Sequence, residues 1–447
     1  YKTKKRNTII TLKTCGESHR FFFIIYNHMK IFKYILVVLV CNILNGQSLN
    51  SLISEKNGFD YERLSRLSNK LDEFSKKGIL PGSVVLISKN DKIIYHEAFG
   101  FSDIDNQIPM KTNSIFRIAS QTKFITATAI MMLQERGELV ITENVSKYIP
   151  EFKETFVAKK SDDGYSIEPA DREITIKDLL THTSGVGYGF GIASKVWEEA
   201  GIQGFYLIDR NESIVETVKK IAKLPHEAHP GDKYVYGYSS DILGAVVEIV
   251  TGNSLDTFLK ENLFDPLEMT DTSFYLPDSK KDRLTSVYIY SEDNGLKRAP
   301  YKGTFDSQGS HYIDGPKKSF SGGAGLLSTS SDYYNFLLMI LNEGKYENLQ
   351  ILSRKSIEIM TKDNLTEGIF PYAGMGHGLG VQVVNNRAKL SVLGSTGELI
   401  GGGAYRTEYW IDSKEDLIGI ILVQIREPQY LLRFHDTIKT LIYQALK

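Results

Sequence analysis

The chain has 447 residues, of which 42% are hydrophobic and 24% charged, and its formal net charge is -1. That is enough chain for one large or two intimately packed domains. Near-balanced charge without a long basic run excludes a nucleic-acid partner, because neutralising a phosphate backbone needs clustered Lys and Arg.

Residues 1–28 begin with Tyr1, carry the one basic cluster (Lys2 to Arg6) and show no clear period, so they read as an upstream or non-native segment. Residues 29–46 have the make-up of a signal peptide. Lys30 and Lys33 follow Met29, the apolar run Tyr34 to Val40 comes next, and Gly46 supplies the small residue before cleavage. The run is short for a bilayer, so no stable membrane span is expected, and the protein is expected to be periplasmic or secreted. A lipoprotein through Cys41 is the lesser alternative, since Val40 stands where a small residue is expected. Cys15 and Cys41 both precede Gln47, so the mature chain is expected to have neither disulfides nor thiolate metal sites.

After a polar leader (47–60), one large domain is expected over 61–447. Leu64, Leu67, Leu71 and Phe74 fall at helical spacing, and Lys76, Lys77 and Gly78 close that helix. Gly82 to Ile87 and Lys92 to Gly100 read as two strands around the Asn90-Asp91 turn. From Leu139 to Leu326 helical segments alternate with polar loops. Strand patterns return at Gly378 to Val384, Gly403 to Asp412 and Leu417 to Gln424, with a turn at Ser413 to Asp416, and a last helix spans Tyr430 to Leu446. The expected fold is therefore α/β (α+β). An antiparallel five-stranded sheet (61–138 and 327–447) is flanked by the N- and C-terminal helices, and a mainly helical insertion occupies 139–326.

Chemistry enters at Phe116 to Glu135. Ser120-Gln121-Thr122-Lys123 opens a long apolar helix, and residues three apart lie on one face, so Ser120 and Lys123 are side by side. Free serine is a poor nucleophile, and an adjacent amine can take its proton or pass the task to a second base. A helix start also offers free amides and a positive partial charge to a developing oxyanion. A second base is available in the tyrosine-rich stretch His229 to Asp241, a Pro-Gly turn leading into a helix that Gly252 stops. The glycines of Gly397 to Ala404 permit close backbone approach to a ligand, which suits an oxyanion hole. His226-Glu227-Ala228-His229 lacks the spacing for two metal ligands one helical turn apart, and Pro230 ends any helix there, so no metal or other cofactor is expected.

Five stretches in order carry a resemblance: Ser120 to Lys123; Ile174 to Gly185; Pro230-Gly231 through Tyr236 to Leu243-Gly244; Ser321 to Thr329; and Gly401 to Gly403 followed by Tyr409 to Asp412. Over Asp60 to Leu446 the chain resembles serine hydrolases of the β-lactamase and penicillin-binding-protein fold, in the class C branch that includes family VIII carboxylesterases. The resemblance implies Ser120 as nucleophile, Lys123 as its activating partner and Tyr236 as base, chosen over Tyr234 and Tyr238 by counting from both flanking motifs. It implies the Ser120 and Ala404 amides as oxyanion donors, with Tyr238, Gly401, Gly402 and Gly403 at the substrate. His182 and Ser184 are read as structural, because Thr175 to Asp178 is a helix-start signal and Gly185 a stop.

Two departures from the family pattern bear on substrate. Tyr238 stands where β-lactamases and peptidases have asparagine, and Gly401 where they have lysine or histidine. A carboxylate-bearing substrate thereby loses a charge-assisted partner worth about 1.5–3 kcal/mol. A small neutral ester or lactone is the expected substrate. A D-amino-acid-specific peptidase or β-lactamase acting on an amide is the alternative, with Arg406 as replacement cation. A non-catalytic cell-envelope binding module is the alternative of another class, and the presence of Ser120, Lys123 and Tyr236 argues against it. Neither the natural substrate nor the oligomeric state follows from the sequence.

Overall fold

Helix α1 (Tyr61–Lys76) buries Leu64, Leu67 and Leu71, the stripe expected from their spacing, and Gly78 just beyond it takes the left-handed φ of +64° that ends such helices. The structure is a computed structural model that describes residues 55, 57–162, 164–291, 295–303, 307–426 and 432–447. The expected upstream segment, the signal peptide, Cys15 and Cys41 lie outside the described residues. The described residues before Glu62 belong to one unit, in which the Gly58 amide donates to the Glu55 carbonyl, and Glu62–Lys447 form the second.

Strands β1 (Gly82–Lys89) and β2 (Lys92–Asp103) form the expected hairpin; Asn90 and Asp91 both take positive φ, as a tight two-residue turn requires. The short edge strand β3 (Ile108–Pro109) follows. Helix α2 (Thr122–Glu135) is buried at every position from Thr122 to Leu133, which makes it the centre of the core. Then come α3 (Ile176–Leu180), α4 (Ser239–Thr251) and α5 (Ser330–Leu341). Thr175 and Asp178 form the capping box of α3, and Gly252 stops α4 at φ +70°, both as their residue types predict.

The sheet is completed by β4 (Met375–His377), β5 (Gln382–Val384), β6 (Leu399–Gly402), β7 (Glu408–Asp412) and β8 (Leu417–Val423), and α6 (Leu432–Tyr443) ends the chain. Its order is β4-β5-β6-β7-β8-β1-β2-β3, with antiparallel pairing throughout. There are eight strands rather than the expected five, because β3, β4 and β6 are two to four residues long and too short to show an alternation. The expected strand from Gly403 is interrupted as well: Gly403 to Thr407 turns the chain between β6 and β7.

Successive residues of β7 face opposite layers. Tyr409 packs on Phe124 of α2 and Tyr333 of α5, whereas the ring of Trp410 lies 5.0 Å from Lys439 Nζ of α6. Phe74 of α1 meets Phe434 of α6 edge-on at 5.6 Å, so the first and last helices share a layer. Between α2 and α5, two hairpins interrupt the expected helical run, Phe156–Ser161 with Gly164–Pro169 and Tyr288–Ser291 with Gly295–Arg298. The first is mostly exposed on both faces, which erased the apolar alternation that marks a strand. No single helix among the described residues is long and apolar enough to cross a membrane.

Candidate active site

A single 3-10 turn, Ala119–Gln121, runs directly into α2 and presents Ser120 at its head. Ala119 carries φ +43°, a conformation that residues with a Cβ rarely adopt. One turn on, Lys123 is 3% exposed, and its Nζ donates to Ser120 Oγ (3.2 Å), Tyr188 Oη (3.1 Å) and the Gly323 carbonyl (2.7 Å).

The Gly323 carbonyl is itself held from behind. Asp241, in the first turn of α4, accepts from Ser321 Oγ at 2.5 Å and from the Gly323 amide at 3.2 Å. Burial pushes the Asp241 carboxyl up, while the Ser321 hydroxyl, Lys123 and the Gly323 amide favour its charged form. A Cβ on Gly323 would stand 2.3 Å from Asp241 Oδ2, so a glycine is needed for this backbone to slide between α2 and α4. This explains why the Ser321-Gly322-Gly323 stretch belongs with the site.

Two tyrosines adjoin Lys123. The Tyr236 ring centroid is 4.7 Å from Nζ; the residue is 40% exposed, and its hydroxyl has no hydrogen-bond partner among the described residues. Tyr188 is buried. Burial, then the neighbouring Tyr236 and Asp241, hold its phenol well above the ordinary value, so it stays protonated at neutral pH. It is thus a fixed hydrogen-bond partner of Lys123, and Tyr236 is the more exposed of the two tyrosines. The sequence reading missed Tyr188. Its signal is faint, a tyrosine three residues after Gly185 in a glycine-rich loop.

Opposite Ser120 lies the Gly403–Thr407 turn. The Gly403 amide donates to the Thr407 carbonyl at 2.8 Å and the Arg406 amide to the Gly403 carbonyl at 2.9 Å. With the Gly403 carbonyl turned inward, the next amide, that of Ala404, faces the other way. Neither it nor the Ser120 amide donates to any acceptor among the described residues. Two free amides beside a nucleophile are the components of an oxyanion hole.

These groups share a cavity of about 520 Å³ whose walls include Ser120, Tyr188, Phe205, Tyr206 and Tyr236, with Gly402, Gly403, Ala404, Arg406, Glu408 and His435 on the far side. Tyr238 and Gly401, expected at the substrate, do not line it. Tyr238 is fully buried at the N-cap of α4, stacks on Trp197 and donates to the Gly204 carbonyl at 2.6 Å. The space in front of Gly401 is taken by the Tyr409 ring, whose hydroxyl would stand 2.4 Å from a Cβ there. His182 is buried with its ring 4.7 Å from that of Tyr236, and Ser184 bonds Ser239 at 2.9 Å. Burial, then the neighbouring His377 and Lys123, keep the His182 imidazole neutral. Among the described residues no three His, Cys, Asp or Glu side chains are grouped to hold a metal ion.

Comparison with known proteins places the chain in a family. A family model described as Beta-lactamase matches residues 67–438. Protein Rv1367c of Mycobacterium tuberculosis is 31% identical over 366 residues, which cover 79% of this chain and 88% of that protein. Esterase EstB of Burkholderia gladioli is 28% identical over 372 residues, covering 80% of this chain and 89% of its own. Among solved structures, EstCE1, described as a hydrolase with promiscuous acyltransferase activity, has a TM-score of 0.74 at 23% identity, covering 86% of this chain and 99% of that one.

Proposed function

The chain belongs to the Beta-lactamase family and is a serine hydrolase, and from that premise we propose that it cleaves small neutral carboxylic esters or lactones through a Ser120 acyl-enzyme. The observation that carries the mechanism is the convergence of Lys123 Nζ on Ser120 Oγ with two undonated amides beside it. Ser120 attacks the ester carbonyl as its proton passes to the Lys123–Tyr236 pair, and the oxyanion forms against the Ser120 and Ala404 amides. Tyr236, open to the cavity, returns the proton to the leaving alcohol. Water then repeats the sequence and releases the acid.

Neutral substrates are favoured because the lysine or histidine of the family pattern is missing. Gly401 offers no cation, and Tyr409 fills the space that a lysine there would need. The likeness to Esterase EstB supports the same substrate class. A peptidase or β-lactamase reading draws on Arg406, which lines the cavity and can meet a carboxylate. Export through residues 29–46 remains part of the proposal, tested by the N-terminal sequence of protein recovered outside the cytoplasm.

Turnover of nitrophenyl acetate, nitrophenyl butyrate and a chromogenic cephalosporin by wild type and Ser120→Ala tests the assignment. Ester turnover that vanishes in the mutant with the cephalosporin untouched is the expected result. Full ester turnover by Ser120→Ala would remove Ser120 as nucleophile, and cephalosporin turnover matching that of the esters would replace the neutral-ester reading with the lactamase one.

A further inference from the structure

His435 lies on α6 at the edge of the cavity, only 12% exposed at its side chain, with both ring nitrogens against acceptors. Nδ1 is 2.9 Å from Glu408 Oε2, and Nε2 is 3.0 Å from the Arg406 carbonyl oxygen. A neutral imidazole has one N–H and can serve one of these two oxygens; the doubly protonated ring serves both. From the other side, Arg426 Nη1 donates to the Ala404 carbonyl at 2.8 Å. Two basic side chains from separate elements thus hold two carbonyls of the turn that carries the Ala404 amide. Arg406 itself sits at φ +65°, a left-handed conformation that a non-glycine residue keeps only when its surroundings impose it.

We propose that His435, anchored by Glu408, is a positioning residue for catalysis that fixes the Gly403–Thr407 turn with the Ala404 amide facing Ser120. This rests on the reading of Ser120 as nucleophile and Ala404 as oxyanion donor. The charged groups around the ring are Glu408 on β7, Arg406 on the turn, and Asp436 on the ring's own helix, while Lys439 acts on Glu408. Burial alone would lower the His435 pKa. The Glu408 carboxylate and the Arg406 carbonyl outweigh burial and the opposing Arg406 charge, and the net shift is upward. The clamp is therefore complete below that raised value and gives up one of its two ring contacts as pH rises through it.

The test is kcat and KM for nitrophenyl acetate between about pH 5 and 9 for wild type, His435→Gln, Glu408→Gln and Ser120→Ala. His435→Gln is expected to lower kcat about ten- to hundred-fold with KM within about twofold, less than outright deletion of an oxyanion donor. Glu408→Gln is expected to move the alkaline fall in kcat to lower pH by about one unit or more, because the ring loses its counter-charge. A purely structural role would lower the melting temperature of both variants and leave the position of the alkaline limb alone, and that result would overturn the proposal. Wild-type kcat and pH profile in both variants, with Ser120→Ala dead, would overturn it too and leave the nucleophile reading standing. Turnover retained by Ser120→Ala would instead remove the reading on which the clamp depends.

Discussion

Gly403 passes so close to Ile118 that a Cβ on it would stand 2.3 Å from the Ile118 carbonyl oxygen and 2.5 Å from Thr407 Oγ1. The backbone of the Gly403–Thr407 turn is thereby laid against Ile118, just ahead of Ser120, with no room for a side chain between them. Gly403→Ala is expected to push the turn outward and lower kcat for nitrophenyl acetate by at least about tenfold, with KM little changed, since the amide acts mainly on the transition state. Steady-state kinetics on the folded variant checks this. Unchanged kcat would mean that the turn does not supply the amide.

The two tyrosines beside Lys123 are expected to separate cleanly on removal of their hydroxyls. Tyr236→Phe deletes the exposed phenol proposed to exchange protons with substrate, and kcat is expected to fall by about 10²–10⁴. Tyr188→Phe deletes one of three acceptors on a buried amine, so a loss of about 1 kcal/mol in stability and a smaller loss of kcat are expected. Parallel urea unfolding and ester turnover on both variants decide the matter. If Tyr188→Phe were the more damaging to kcat, the base would be Tyr188.

Acid is expected to weaken the fold well above the carboxylate range. Burial holds His226, His311 and His377 at about 4, against about 6.5 when exposed. Folded pKa values below the unfolded value mean that the unfolded chain binds more protons. Stability is therefore complete above about pH 6.5 and is lost as pH falls towards 4. Each histidine is expected to contribute a loss on the order of 1–2 kcal/mol between about pH 7 and pH 5. Urea midpoints at the two pH values measure it, and equal midpoints would contradict neutral burial of these rings.

What could be read from the sequence was local. Ser120 and Lys123 are three residues apart on one helix, so helix geometry alone sets them side by side. The Asn90-Asp91 turn and the Thr175–Asp178 capping box likewise need only neighbouring residues. Tyr188 reaches Lys123 across 65 positions, and His435 reaches the Arg406 carbonyl across 29, so neither contact leaves a pattern in the chain. Tyr238 and Gly401 do not line the cavity, for a directional reason. The Tyr238 side chain goes beneath the start of α4, and Gly401 is covered by the residue opposite it in the register, Tyr409. A count along the chain fixes position but not the side on which a residue faces.

The pairing of β1 with β8 also constrains how the protein is made. Lys89 lies opposite Leu417 and Ser83 opposite Val423, so a central strand of the sheet waits for a partner more than about three hundred residues downstream. At about 5–20 residues per second of synthesis, β1 is on one side an open edge for tens of seconds, an apolar template for association with other chains. A ribosome that stops short of β8 therefore releases a chain whose Ser120, Lys123 and Tyr236 are all present but whose central sheet has no closing strand. Such truncations should accumulate as aggregates rather than as weak enzymes.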